Sequence, residues 1–329
     1  MTECERFIEE GKFSPDFFRE EERCGFLVTT ERKKMWAVEL DLLDQFNAVC
    51  SKHGLRYWLD GGSLLGSVRH RGFIPWDDDI DVSMLRADYE KLLTLSDTFS
   101  TPYFLQIPGQ DKDYFYGVTK LRNSNTSQIV EIFQHREFNH GICLDIFPVD
   151  EWDSVHGEST FNRIVELYYD QSTYMRMGNP NLNAEQLRRI ATHSGRNPQE
   201  VLRELQGLVT SFQGKGNGWL CQATCGGFYG YERELRRAED HAQFILGQFE
   251  GREYPIPSGW EWTLHRKYGD FMAFPPVSQR GNWHHGVTIN PDVPYTTMLR
   301  ERRKLGTESQ MVSGNSIHWK TQNNGSESY

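Results

Sequence analysis

No run of apolar residues in this chain approaches the roughly 18 that a membrane-crossing helix needs, and the opening MTECERFIEEGKF has no apolar h-region of the kind a secretory signal carries. No integral membrane segment is expected, and the expected location is the cytoplasm. Basic charge is short as well: Lys plus Arg number 36 against 46 Asp plus Glu, a net charge of −10. The chain-wide positive footprint of a nucleic-acid coat is therefore missing, and no nucleic-acid partner is expected. Six cysteines, Cys4, Cys24, Cys50, Cys143, Cys221 and Cys225, are too thinly spread for a disulfide scaffold and read as free thiols. Cys221 and Cys225 have no second close pair to complete a zinc site, although His241 could contribute.

What is present suits a folded protein. Hydrophobic residues are 37% of the chain, below the usual roughly 45–50%, yet aromatics reach 13% and charged residues 25%. A length of 329 residues suits two domains or one enlarged domain, and no internal repeat is visible. Over residues 31–53, Met35, Val38, Leu42, Phe46, Val49 and Cys50 recur at helical spacing and Gly54 follows as a stop. Leu55–Asp60 then reads as a strand that runs into Gly61-Gly62-Ser63 at the mouth of a short helix. Asp79–Met84 alternates like a half-buried strand, a helix is expected over Ala87–Ser96, and further strands over Tyr103–Ile107, Tyr114–Arg122, Ser127–Ile132 and Ile142–Val149. From about Phe161 the pattern turns helical, in FNRIVELYYDQSTYMR, AEQLRRIATHS and PQEVLRELQGLVTSF. The expected fold is α/β (α+β): a mixed sheet, then a mostly helical second domain from about 153. From 304 the chain is polar without periodicity, which predicts a flexible tail over 304–329.

The chemistry concentrates in the carboxylates. On a strand, Asp79 and Asp81 point to one face about 6.6–6.8 Å apart, while Ile80 and Val82 point to the other. Carboxylates so placed can share Mg²⁺ ions, and two such ions suit an in-line displacement at phosphorus. Asp145 is the third ligand this scheme needs, a lone carboxylate in the apolar run GICLDIFPV. The same alternation is what any one-sided strand shows, so the tripeptide alone leaves both readings open. Two features favour the metal: Gly61, Gly62 and Ser63 can cradle a phosphate at a helix N-terminus, and Asp77 and Asp78 extend a run of carboxylates that would repel without cations. Lys120 and Arg122, two apart on a strand, share a face where an ammonium and a guanidinium could neutralise a diphosphate.

The stretch YWLDGGSLLGSVRHRGFIPWDDDIDVSML (57–85) closely resembles the signature of the LicD/fukutin family within the nucleotidyltransferase superfamily. YGVTKLRNSNTS (116–127), GICLDIFPVD (141–150) and REYPIPSGWEWTLHRKYGDFMAFPP (252–276) resemble further family segments, so the likeness covers about 31–285 and ends near His284-His285. It implies an N-terminal extension over 1–30, a nucleotidyltransferase-like catalytic domain over 31–152 and a helical substrate domain over 153–303. It further implies a Mg²⁺-dependent transferase that passes a phosphoalcohol, phosphocholine being the prototype, from a CDP-alcohol donor to a sugar hydroxyl. The acceptor would be a surface glycan such as lipopolysaccharide or teichoic acid, or its lipid-linked precursor, reached from the cytoplasm or from peripheral attachment at the inner face of the membrane. Asp79, Asp81 and Asp145 would be the catalytic residues and hold two Mg²⁺ ions. Gly61, Gly62, Ser63, Lys120, Arg122 and Trp76 would bind substrate, the last because a quaternary ammonium needs aromatic faces. A true nucleotidyltransferase on the same carboxylates, or an inactive scaffold subunit, are the alternatives; free CMP, pyrophosphate and no turnover tell the three apart.

Overall fold

A computed structural model of the chain describes residues 1–179, 184, 187, 188, 196–224, 229–281 and 286–312. Helix α1, Glu3–Glu9, opens it, capped by Thr2, whose hydroxyl accepts from Glu5 N while the Glu5 carboxylate accepts from Thr2 N. Phe7 is wholly buried and Glu3 accepts from the side chains of Asn123 and Asn125 at 2.8 and 3.0 Å, so this leading segment is built into the core. After a small hairpin of β1 (Glu21–Arg23) and β2 (Phe26–Val28) comes the long helix α2, Thr30–His53. Thr29 caps its start by accepting from Arg32 N, and Gly54, at φ 65°, ends it in the left-handed conformation that a residue without Cβ adopts most easily. Of the apolar stripe read from the sequence Val49 alone is half-buried and the rest are buried, and from Met35 to Leu43 every residue of the helix is buried.

The chain then lays down β3 (Trp58–Leu59), α3 (Gly61–His70), β4 (Asp81–Leu85), α4 (Arg86–Leu93), β5 (Tyr103–Gln106), β6 (Thr119–Asn123), β7 (Ser127–Val130) and β8 (Ile142–Trp152). Helix α5, Glu158–Arg176, follows, then a helix over Pro198–Val209 capped by Asn197. Next come β9 (Trp219–Cys221), β10 (Leu235–Arg237), the hairpin β11 (Phe244–Phe249) with β12 (Arg252–Pro257), a helix over Trp260–Tyr268, and β13 (Val287–Asn290). Of the expected helix AEQLRRIATHS, nearly all lies outside the described residues.

The class is the expected α/β one, and β8 is the spine of its seven-stranded mixed sheet. One edge of β8 carries β4 in parallel; the other carries β6 along its first half and β9 along its end, both antiparallel. Strands β9 and β10 thus return to the sheet from beyond the break expected near 153, and β13 pairs with β7. A first core lies around α2, α3 and the sheet, with Trp36, Leu40, Phe46, Leu121 and Ile146 wholly buried. A second gathers Trp152, Phe161, Ile164, Leu167, Val201 and Leu205 between α5, the Pro198–Val209 helix and the sheet's end.

Several expected bounds need correction; the strands expected over Leu55–Asp60 and Tyr114–Arg122 are held to Trp58–Leu59 and Thr119–Asn123. The strand expected from Asp79 begins at Asp81, although Asp145 N still donates to Ile80 O at 3.0 Å. The reason is the grip on the preceding turn: Arg32 Nη1 and Trp36 Nε1 both donate to the Asp77 carbonyl, at 2.5 and 3.3 Å, and draw the chain out of the ladder. The segment expected to be a tail from 304 continues a helix, Tyr295–Val312, through its first part. Leu299 of that helix is buried and Arg302 donates to Gln134 Oε1 at 3.1 Å, anchors that a search for apolar periodicity beyond 304 does not see. Residues 313–329 lie outside the described residues.

Candidate active site

Strand register builds the centre of the site. Asp81 on β4 is the direct neighbour of Asp145 on β8, and Asp145 is the direct neighbour of Lys120 on β6. Adjacent strands are about 4.8 Å apart, so the three side chains stand in one row on one face. The Lys120 ammonium makes an ion pair with Asp145 Oδ1. Burial works against that lysine's charge, but Asp145 and then Cys143 outweigh it and hold the ammonium above its ordinary range. The Asp81 carboxyl is pushed well above the usual carboxylate range, first by burial and then by the like charges of Asp79, Asp145, Asp77 and Asp60.

Helix α3 aims its N-terminus at this row. Asp60 is the N-cap: its Oδ1 accepts from Gly61 N at 2.8 Å, its Oδ2 accepts from Ser83 Oγ, and Arg236 Nη1 of β10 lies 2.7 Å from Oδ2. The glycines are there because carboxylates crowd the turn. A Cβ on Gly61, whose φ is +53°, would come within 2.9 Å of Asp81 Oδ2, and one on Gly62 within 2.6 Å of Asp77 Oδ2. Ser63 Oγ accepts from Asp81 N at 2.9 Å, which locks the helix to the strand. The first-turn amides of Gly62 and Ser63 have no acceptor within their own helix, the usual setting for a bound anion.

Asp77, Asp78 and Asp79 form the rim, each placing a carboxylate oxygen within 4.8 Å of the others. With Asp81 and Asp145 the donors are all hard oxygens of like charge in a crowded, partly buried setting. That donor set fits a divalent cation such as Mg²⁺.

A family profile described as LicD/FKTN/FKRP, nucleotidyltransferase domain, matches residues 54–176, the span that holds α3, Asp77–Asp81, Lys120 and Asp145. The chain carries a LicD-family domain. The lipopolysaccharide cholinephosphotransferase LicD of Haemophilus influenzae is 25% identical over 256 residues, covering 74% of this chain and 92% of that protein. The ribitol 5-phosphate transferase FKRP of Homo sapiens is 57% identical over 35 residues, 11% of this chain and 7% of that one. An uncharacterised protein of Rickettsia prowazekii is 40% identical over 112 residues, 34% of this chain and 38% of its own length.

Not every residue singled out in the LicD-family domain stands at the row. Gly61, Gly62, Ser63, Asp79, Asp81, Lys120 and Asp145 come together. Arg122 shares the strand face of Lys120 but is 5% exposed, with Nε donating to Gln106 Oε1 and Nη1 to the Gly141 carbonyl, both at 2.6 Å. Trp76 is buried at 3% exposure among Phe26, His70 and Phe274, with the Arg280 guanidinium 5.0 Å from its ring centre. Cys143 is a packed thiol beside Asp145, raised to about 11 mainly by burial. His284, His285 and Cys225 lie outside the described residues; Cys221 is wholly buried on β9.

The buried bonds of Arg122 give an expected result: Arg122→Lys lowers stability by about 1–3 kcal/mol, because a point charge leaves the Gln106 and Gly141 acceptors unmatched. Denaturant unfolding measures it. Unchanged stability with a collapsed kcat would instead mark Arg122 as a substrate contact.

The sequence reading misses three charges beside the row. Asp60 is passed over as a strand end, although an Asp directly before Gly-Gly and a helix is an N-cap pattern. Glu39 interrupts the apolar stripe of α2 one turn after Met35, a visible anomaly. Arg236, 2% exposed, sits on a three-residue strand too short to carry any period.

Proposed function

We propose that this LicD-family protein is a Mg²⁺-dependent transferase that moves a phosphoalcohol from a CDP-activated donor to a sugar hydroxyl of a surface glycan or its lipid-linked precursor, working on the cytoplasmic side. The observation that carries the reading is the row Asp81, Asp145 and Lys120 set before the N-terminus of α3. The activities for which LicD and FKRP are named, transfer of cholinephosphate and of ribitol 5-phosphate, supply the class of transferred group.

In this reading the donor diphosphate rests on the first-turn amides of Gly62 and Ser63, where the helix dipole favours negative charge. Asp79, Asp81 and Asp145 would hold the cation. Bound Mg²⁺ would neutralise diphosphate charge and polarise the phosphorus. The acceptor oxygen attacks the phosphorus that bears the alcohol and forms the new P–O ester bond. The bond from that phosphorus to the bridging oxygen breaks, and CMP leaves with the electron pair. Asp145 takes the hydroxyl proton, and Lys120, beside it, offsets charge on the departing phosphate.

Crowded carboxylates and a cation that sheds water reluctantly give a specific expectation: Mg²⁺ binds weakly alone and tightly with the nucleotide. Linkage makes the effect reciprocal. Calorimetric titration of CDP-choline, CDP-ribitol and CDP-glycerol should give at least one donor that binds about tenfold or more tighter with Mg²⁺ than without it. Equal affinities in both conditions for every donor that binds would separate the diphosphate from the carboxylates and remove the proposal.

A further inference from the structure

Glu39 lies on the buried face of α2, wholly inaccessible, and neither of its carboxylate oxygens has a hydrogen-bond partner. A buried carboxylate without a partner costs several kcal/mol by general experience. Its position therefore calls for a proton or for a compensating cation, and burial does push the carboxyl well above its ordinary range. The helix face on which it sits is the face that grips the acidic turn: Trp36, one turn earlier, and Arg32, two turns earlier, both donate to the Asp77 carbonyl. Glu39 lies one turn further along the helix that makes these two bonds. After burial itself, the groups that act on it most strongly are Asp79, Asp78 and Asp77, all of its own sign, with Arg32 the weaker opposing charge. Those three aspartates already set their oxygens within 4.8 Å of one another. Glu39 is not one of that group of three; it faces the same turn from the helix that holds it, an element outside the matched 54–176 span.

We propose that Glu39 is the inner ligand of a divalent-cation site completed by Asp77, Asp78 and Asp79. This rests on the reading that the domain uses a divalent cation, and adds to it a residue and a position. A hard cation takes carboxylate oxygens from several elements at once, so the ion would also tie the acidic turn to α2 and hold Asp79 in line with Asp81. Glu39 then links cation occupancy to the placement of the row.

The probe is Mn²⁺ added alone to the full chain, followed by calorimetry and by the electron paramagnetic resonance signal of free Mn²⁺. Glu39→Gln keeps the shape and removes the charge. The expected result is Mn²⁺ affinity lower by roughly ten- to hundredfold, a metal-free melting temperature no lower than that of the parent, and a smaller rise in melting temperature on adding Mn²⁺. Parent-like Mn²⁺ affinity in Glu39→Gln overturns the inference while leaving the cation reading intact. So does a variant that melts well below the parent with affinity unchanged, which makes Glu39 structural. A parent chain that binds no Mn²⁺ either alone or with a CDP-alcohol present sinks the cation reading, and the inference with it. Should Glu39→Gln not fold, Glu39→Asp takes its place: it keeps the charge but withdraws the oxygens by one methylene, and the same loss is expected and the same parent-like affinity overturns.

Discussion

Asp81→Asn should yield a protein that melts at or above the parent's temperature and turns over at least about a thousandfold more slowly, a loss of roughly 4 kcal/mol in transition-state stabilisation. The two halves have one cause. Asp81 is crowded by Asp79, Asp145, Asp77 and Asp60 in a buried setting that opposes its charge. The amide fills the same space without the repulsion, so the fold gains. It cannot bind a hard cation as a carboxylate does, so the chemistry fails. Thermal melts and a coupled assay of nucleotide release measure both. Parent-like turnover would mean that the row on β4 and β8 does not hold the reacting groups.

Arg236→Met should be the most destabilising single change near the site, by about 3–5 kcal/mol. Asp60 and Arg236 are each 2% exposed, 2.7 Å apart, and Arg236 Nη2 also donates to Gln222 Oε1 at 2.8 Å. Burial alone would raise the Asp60 carboxyl, but Arg236, Lys267, Ser83 and the Gly61 amide together hold it well below the usual range. A carboxyl depressed in the folded state contributes stability that is full above its unfolded value, about 3.9, and is lost as pH falls below that toward the folded value. The gap between parent and variant should therefore be full at pH 7 and narrow below about pH 4. Asp60 also caps α3, so turnover should fall along with stability. Adding Asp60→Asn to Arg236→Met should recover part of the loss, since no uncompensated charge is then buried. Denaturant unfolding across pH tests it; a loss under about 1 kcal/mol at pH 7 would place the pair among weak surface bridges.

How much of this was legible in the sequence depended on the length of the signal. Helix α2 was readable over nearly all of Thr30–His53, because six apolar positions keep one face over about four turns and Gly54 ends it. The parity of Asp81 and Asp145 on their strands was readable too. That β4 and β6 flank β8 was not, since alternation gives the face of a residue and never its neighbour across the sheet. Lys120 and Arg122 illustrate the limit. They share a parity and were read as one clamp, yet Lys120 meets Asp145, while Arg122, one step along, meets Gln106 on β5 and the Gly141 carbonyl. Trp76 was read as a substrate face and is packed inside an aromatic cluster, because nothing in a single sequence tells an enclosed indole from an open one. The return of β9 and β10 to the sheet was invisible for a simpler reason: three residues carry no period.

The central claim is that CDP-alcohols are donors and CMP is the leaving group. Phosphorus NMR of the full chain with Mg²⁺ and CDP-choline, CDP-ribitol or CDP-glycerol, with water or an offered saccharide as acceptor, tests it most directly. The account predicts that CMP accumulates in step with a new phosphate monoester or diester bearing the alcohol, that the signals vanish in Asp81→Asn, and that CTP yields no pyrophosphate. Pyrophosphate released from CTP, with every CDP-alcohol left intact, would contradict it and assign the same carboxylates to nucleotidyl transfer.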